Sequence, residues 1–274
     1  MKVLIFGGTG FIGKKVLDAL IANGHSVVVF SHKRKISDEE GIDYVKGDIL
    51  DSNSVKEALK SKPDVVINLV GIIKEIPDRG ITFKAMHYDA AINLIEAIRD
   101  FDKNIPLIQM SANGVELGKD ITDYFRYKYM TEEKLQSSGL KYAIIRPSIV
   151  VGKDEGIVRD LSFPLSLGIF PIPNIDVRFS PVKVEVVAAK IVEAAENVLN
   201  NKSKSSIIKI CGEEEMSFKE LIKYIAKIIG KNVLFIPAPL FLFKMAAFLG
   251  DRFNFVPLNT VTLKMLLQGN VCSK

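Results

Sequence analysis

The sequence is poor in the residues that build a stapled or metal-held fold. Two cysteines, Cys211 and Cys272, stand far apart without paired spacing, and 274 residues contain only three histidines. Neither a disulfide framework nor a zinc cluster is expected, and metal is left out of the candidate chemistry. Unpaired thiols fit a reducing, cytoplasmic compartment. No signal peptide is read at the N-terminus, because the apolar run at residues 3–6 enters a glycine loop directly and lacks the length and cleavage pattern of a leader. Repeats and low-complexity segments are absent. Charge of one sign is also lacking: 37 basic against 32 acidic residues leave +5, a modest excess that reads as solvated surface and names no partner.

What is present is rhythm. Short β-branched runs at 3–6, 26–30, 43–45, 65–69, 107–110 and 142–145 alternate with helical patterns at 11–23, 51–60, 82–100 and 123–137. That is the order of βαβ units, so the fold class is α/β, a doubly wound parallel Rossmann sheet over residues 1–150. After Arg146-Pro147, prolines at 164, 171, 173 and 181 break the pattern, and residues 151–274 read as a smaller α+β lobe interleaved with the first. A helix is expected at 184–199. Ser217 and Glu220 form a capping box opening another through about 229, with Glu213, Glu214 and Glu215 solvated in its approach. The segment 233–250 is apolar but interrupted by Pro237, Pro239 and Lys244, so no bilayer span, which needs about 20 apolar residues, is read there. Its aromatics Phe235, Phe241, Phe243 and Phe248 are expected to pack on the core, with peripheral contact at a membrane surface or with a partner protein as the other reading.

The strongest motif is Gly7-Gly8-Thr9-Gly10-Phe11-Ile12-Gly13. It follows a predicted strand and opens a predicted helix, the context in which glycines let backbone approach a pyrophosphate at a helix N-terminus. The end of the second strand, where an NAD-specific site places a carboxylate, reads Ser31-His32-Lys33-Arg34-Lys35. A hydroxyl followed by cations suits a 2′-phosphate, so NADP(H) is favoured over NAD(H). No aromatic platform surrounds the basic run, and nucleic acid is not expected as a partner.

Gly7, Gly10 and Gly13 form the GxxGxxG pattern of the extended and atypical short-chain dehydrogenases/reductases, which the chain resembles. On that resemblance, Asp48-Ile49 matches the pair at adenine, Leu69-Val70-Gly71 after Asn68 the turn over the adenosine ribose, and Pro147-Ser148-Ile149 after Arg146 the stretch beside the nicotinamide. More narrowly, residues 68–75 (NLVGIIKE), 109–115 (QMSANGV), 145–152 (IRPSIVVG) and 257–271 (PLNTVTLKMLLQGNV) resemble the family of the complex I 39 kDa accessory subunit and its prokaryotic homologues. This likeness implies a bound NADPH that is structural and not turned over.

Tyr124 and Lys128 match the superfamily's YxxxK pair; their i, i+4 spacing puts both on one helix face, where an ammonium would favour the ionised phenol. Active members carry a Ser or Thr just beyond the fifth strand. Here the sequence reads Ser111-Ala112-Asn113, with Ser111 at the strand end and Asn113 at the aligned position. His87, inside the long 82–100 helix, reads as packed and not as a base. Two functions therefore stand side by side. One is a dinucleotide-binding accessory subunit of an electron-transfer complex, cytoplasmic or peripheral at the inner face of the cell membrane. The other is an NADP(H)-dependent oxidoreductase or epimerase on a small carbonyl or hydroxyl substrate.

Overall fold

The computed structural model describes residues 1–32, 41–153, 155–200, 205–253, 256 and 258–272. In chain order the elements are β1 (Lys2–Phe6), α1 (Phe11–Ala22), β2 (Ser26–Ser31), β3 (Ile42–Lys46), α2 (Ser52–Leu59), β4 (Val65–Asn68), α3 (Ala90–Asp102), β5 (Leu107–Met110), α4 (Val115–Gly118), α5 (Asp123–Gln136) and β6 (Tyr142–Pro147). There follow β7 (Val150–Gly152), α6 (Gly156–Ser166), β8 (Ile169–Pro173), β9 (Arg178–Phe179), β10 (Val182–Lys183), α7 (Val184–Leu199), β11 (Ser206–Ile210), β12 (Met216–Ser217), α8 (Phe218–Ile228), β13 (Leu234–Ala238), α9 (Leu240–Arg252) and α10 (Thr260–Gln268).

The seven-stranded sheet runs β11-β6-β5-β4-β1-β2-β3. β1 lies between β2 and β4, parallel to both, with Leu4 opposite Val28 on one side and Val66 on the other. From β1 the chain builds outward through β2 and β3, then returns to the other side for β4, β5 and β6. That reversal opens a crevice at the carboxyl ends of β1 and β4, where ligands sit in doubly wound sheets. Val3, Leu4, Ile5 and Phe6 are all fully buried, as expected of a parallel strand covered on both faces, and this is why β1 reads as an unbroken apolar run. The Phe6 and Phe30 rings meet at a tilt, 4.6 Å between centroids, within a core that includes Val55, Leu59, Leu94, Ile98 and Ile144.

The chain divides into two compact units, Met1–Arg146 with Glu185–Lys209, and Pro147–Val184 with Ile210–Lys274. The expected lobe at 151–274 is thus crossed by a return to the first unit. α7 goes with that unit because Val187, Ile191, Ala195 and Val198 recur at helical spacing and are buried, and Glu196 holds His25 at 2.8 Å. In the second unit β8 pairs parallel with β13, β7 with β10, and β9 antiparallel with β12. α8 opens on the expected capping box of Ser217 and Glu220 and packs Leu221, Ile222 and Ile225 against Val158, Leu165 and Phe179.

Three expectations are corrected. The 82–100 helix is not uniform: Lys84–Asp89 is wound as a π-type helical turn before α3 begins. The 233–250 aromatics do not all pack inward; Phe243 is buried, whereas Phe241 and Phe248 are exposed. Large apolar residues fall on both halves of α9, so their pattern does not mark which half meets solvent. Cys211 and Cys272 are bonded to each other. Sequence spacing cannot show this, because residues 178–180 bring the two together: Asn270 exchanges backbone hydrogen bonds with Arg178 and Ser180, and Gly212 N–H donates to Ser180. The bond withdraws the support that unpaired thiols lend to a reducing compartment.

Closing 61 residues of separation removes about 4 kcal/mol of unfolded-chain entropy on the loop-closure account. Reduction, or Cys211→Ser with Cys272→Ser, is expected to lower unfolding free energy by about 2–4 kcal/mol in guanidinium titration; an unchanged midpoint would mean the cross-link does not constrain the unfolded chain.

Candidate functional site

At the carboxyl end of β1 the chain turns through Gly7 at φ 79°, a left-handed conformation that suits glycine. A Cβ on Gly7 would stand 2.9 Å from the Leu69 carbonyl carbon and 3.0 Å from Val70 N, so the loop after β4 lies directly on this turn. Gly13 is tighter still: its Cβ would meet the Gly7 carbonyl oxygen at 2.2 Å and the Gly8 backbone at 2.6 Å. These absences of side chain let α1 seat against the loop that precedes it. Gly10 is extended, donates its N–H to Gly7 O at 3.1 Å, and supplies no side-chain cap to α1. A Cβ there would meet only Gly7 O, at 3.4 Å. The result is a bare helix N-terminus framed by backbone, which fits a pyrophosphate by the chemistry of its donors. Thr9, Phe11 and Ile12 are half-buried or more open around it, and Gly8 is buried against Ile5.

A buried amide pair braces the far wall. Asn68 Nδ2 donates to Gln109 Oε1 at 2.9 Å, Gln109 Nε2 donates to Met110 O, and Asn68 Oδ1 accepts from Val70 N–H at 3.1 Å. Leu69 N–H donates to Phe6 O, which ties β4's exit to the glycine turn. At the end of β2, Ser31 is buried and His32 is exposed, with its Nδ1 at 3.9 Å from the Asp48 carboxylate. Lys33 and Arg34 lie outside the described residues. Asp48 Oδ1 accepts from Leu50 N–H, while the Ile49 side chain belongs to the core.

Tyr124 and Lys128 share the inner face of α5, whose start Thr122 caps by accepting from Phe125 N–H. Both are buried, and the Lys128 Nζ stands 5.4 Å from the Tyr124 ring centroid. Gly71 is the third wall: a Cβ on it would lie 2.9 Å from His87 Cε1 and 3.8 Å from Lys128 Nζ. His87 itself is buried, edge-on to Tyr124 at 5.1 Å, with Nε2 at 2.9 Å from Ile72 O. A carbonyl only accepts, so Nε2 carries the proton and Nδ1 is left as an acceptor, with no partner among the described residues. Burial, and then the neighbouring Lys128, hold the imidazole well below its ordinary range, so it is neutral at pH 7.

The expected electrostatics of the pair are corrected by the same burial. Desolvation pushes the Tyr124 phenol up from its ordinary value and pulls the Lys128 ammonium down to about 8, against the opposing pull of Glu132. Loss of water outweighs the attraction that would ionise the phenol, so Tyr124 keeps its proton at neutral pH. Ser111, at the exit of β5, has a buried hydroxyl without a partner among the described residues, and Asn113 is buried two residues on.

Below this face lies a charge network that sequence reasoning missed. Arg146 is buried and donates through Nε to Glu132 Oε1 at 3.0 Å and through Nη2 to its other oxygen, and pairs with Glu116 at 2.8 Å. Two carboxylates raise the guanidinium, against its burial. Glu132 was readable as the i+4 neighbour of Lys128; its partner, on another strand, was not. His87 and Gln109 were likewise invisible as site residues, because the loop after β4 and the strand β5 bring them in from a distance. Pro147, Ser148 and Ile149 fall in the second unit, where Ser148 N–H donates to Ile210 O and its hydroxyl to Asn270 O. Among the described residues no cluster suits a metal ion.

Residues 3–163 match the NAD dependent epimerase/dehydratase family. Among curated proteins the chain is 24% identical over 272 residues to NADH dehydrogenase (ubiquinone) 1 alpha subcomplex subunit 9, mitochondrial, of Mus musculus, covering 95% of this chain and 69% of that one. It is 29% identical to the Arabidopsis thaliana protein of the same name, over 69% of this chain and 49% of that one. Among solved structures, UDP-glucose 4-epimerase of Thermus thermophilus in complex with NAD superposes with TM-score 0.69 at 21% identity, over 97% and 99% of the two chains. The Brucella ovis UDP-glucose 4-epimerase in complex with NAD gives 0.72 at 20%, over 87% and 86%.

A buried lysine with a folded pKa near 8 against an ordinary 10.5 binds fewer protons when folded, so stability rises as pH climbs from about 8 to about 10.5 and the penalty is full below 8. Lys128→Met is expected to stabilise the protein at pH 7 by up to about 3 kcal/mol and to lose that advantage near pH 10.5; urea titrations of both proteins across this range read the difference. For the ion pair, Arg146→Met alone is expected to cost about 3–5 kcal/mol by stranding Glu132, and Arg146→Met with Glu132→Leu markedly less.

Proposed function

The chain belongs to the NAD dependent epimerase/dehydratase family, and we propose that it holds NADP(H) as a resident, structural cofactor within a protein assembly. The observation that carries this reading is an asymmetry within one site. The backbone cradle of Gly7, Gly10 and Gly13 against Leu69 and Val70 is complete, whereas the phenol that would have to cycle a proton is buried and pushed away from ionisation. In this reading the α1 N-terminus faces the pyrophosphate, Lys128 and the acceptor nitrogen of His87 suit ribose hydroxyls, and Ser31 with the basic residues that follow favours a 2′-phosphate over the bare ribose of NAD(H). The relatives that are subunits of NADH dehydrogenase support a role in assembly.

A second reading rests on Ser111. Its unpartnered hydroxyl is a donor suited to a substrate carbonyl, and a neutral Tyr124 can deliver a proton to the same oxygen while Lys128 fixes the ribose. The nicotinamide would supply the hydride. That reading makes the chain a carbonyl reductase or an epimerase on a small-molecule substrate.

Native mass spectrometry of freshly purified protein, followed by denaturation and identification of the released nucleotide, separates the two. Tightly co-purifying NADPH that external hydride acceptors leave reduced supports the structural cofactor; an empty protein that binds NADP(H) reversibly and reduces carbonyl compounds only with Tyr124 in place supports the enzyme. Gly10→Ala is expected to fold normally, since its Cβ meets only Gly7 O, and to weaken dinucleotide binding by about tenfold or more because it projects into the approach to the loop. Intact binding in that variant would remove the glycine loop from the site.

A further inference from the structure

Most of the exposed apolar side chains of the second unit lie on one helix and on the strand leading into it, with Phe163 and Leu167 at the end of α6 and Phe253 beyond α9 exposed as well. α9 turns Phe243, Ala247 and Gly250 inward, where Phe243 and Ala247 pack with Leu263 of α10. Outward it leaves Phe241 at 57%, Leu242 at 45%, Met245 at 58%, Phe248 at 72% and Leu249 at 47% exposure. At about 100° per residue these five fall within an arc of about 120°, a single stripe along the helix, with Lys244 on its border and Arg252 at its end. β13 carries Leu234 and Ile236 exposed, two residues apart and so on one face; their register partners on β8 are Ile169, also exposed, and Pro171. A folded chain that meets only water does not ordinarily present such a stripe.

Charge identifies what covers it. Residues 221–274 hold seven basic side chains, Lys223, Lys227, Lys231, Lys244, Arg252, Lys264 and Lys274, against the single acid Asp251. Residues 1–220 hold thirty basic against thirty-one acidic, so the whole net charge of the protein belongs to the segment that carries the apolar stripe. A second copy of the chain would bring the same positive charge to this face and be repelled. An anionic lipid surface answers both features, with the apolar side chains entering the headgroup boundary and the cations meeting phosphates. α9 has 13 residues, about 20 Å of helix against a hydrocarbon core of about 30 Å, and no described helix is long and apolar enough to cross a membrane.

We infer that the outward face of α9, extended by the exposed face of β13 and β8, docks in the plane of an anionic bilayer. The inference goes beyond dinucleotide binding and does not depend on it, since its variants leave the glycine loop untouched.

Flotation of the full chain with phosphatidylcholine vesicles, and with mixed phosphatidylglycerol/phosphatidylcholine vesicles at low and high salt, tests it. The protein is expected to float with the mixed vesicles at low salt, to be released as salt rises, and to bind neutral vesicles far less. Phe241→Ser with Phe248→Ser, and separately Lys244→Glu with Arg252→Glu, are each expected to reduce partition by about tenfold or more, with the melting curve and any bound dinucleotide unchanged because all four side chains are exposed. Protein that stays at the bottom with the mixed vesicles at low salt overturns the inference, as does equal binding to neutral vesicles or undiminished binding by both variants. A dimer that the phenylalanine variant dissociates, without vesicle binding, assigns the face to a second copy and also overturns it.

Discussion

Everything at the candidate site depends on how closely three backbone segments approach one another. The turn after β1, the start of α1 and the loop after β4 meet with no room for a Cβ at Gly7 or Gly13. Had either carried a side chain, α1 would stand off from the turn or the β4 loop would lift away, and the bare helix N-terminus would lose its frame. The Asn68–Gln109 pair secures the same approach from the β5 side, converting two buried amides into a brace. Packing of the sheet centre is upstream of this: only because β1 is buried on both faces between β2 and β4 do its exit and that of β4 arrive side by side.

The Tyr124–Lys128 pair shows which of two opposed effects wins. Helical spacing puts an ammonium next to a phenol, and in a polar site that would ionise the phenol. Here both groups are buried, Phe83, His87 and Phe125 crowd the tyrosine ring, and desolvation moves each toward its neutral form. Glu132 opposes this for the lysine but is already engaged by Arg146. The same YxxxK letters therefore describe a phenol and an amine that burial pushes toward their neutral forms, a state decided by surroundings and not by the motif.

Much of this is legible in the sequence. The strands β1 to β6 and the helices α1, α2, α3, α5 and α7 announce themselves by period, whereas the edge strand β11 and the single turn of α4 do not; the glycine loop is marked by its position between strand and helix, and the capping box of α8 by two residues. The illegible parts share a cause: they are set by tertiary neighbours. The Cys211–Cys272 bond follows from Asn270 and Gly212 both binding the 178–180 segment. The proximity of His87 to Lys128 follows from the path of the chain after β4, and the protonation of Tyr124 from total burial. For α9 the difficulty differs, because large apolar residues lie on both halves of the helix, and only the packing of Phe243 and Ala247 with Leu263 of α10 decides which half is left outside.

Two features are not explained by folding at all. A buried lysine whose ammonium is pulled down to about 8 lowers stability at neutral pH, and an apolar stripe on α9 leaves in water side chains that a polar substitution would suit better. Stability alone selects against both. Each becomes intelligible once the chain is considered with something outside itself: an anionic, hydroxyl-bearing ligand would offset the burial cost of the Lys128 charge by lying against it, and a surface that is apolar beneath and anionic above would remove the α9 stripe from water while keeping Lys244 and Arg252 hydrated. The fold thus marks its contacts by the places where it is, on its own, less stable than its composition allows.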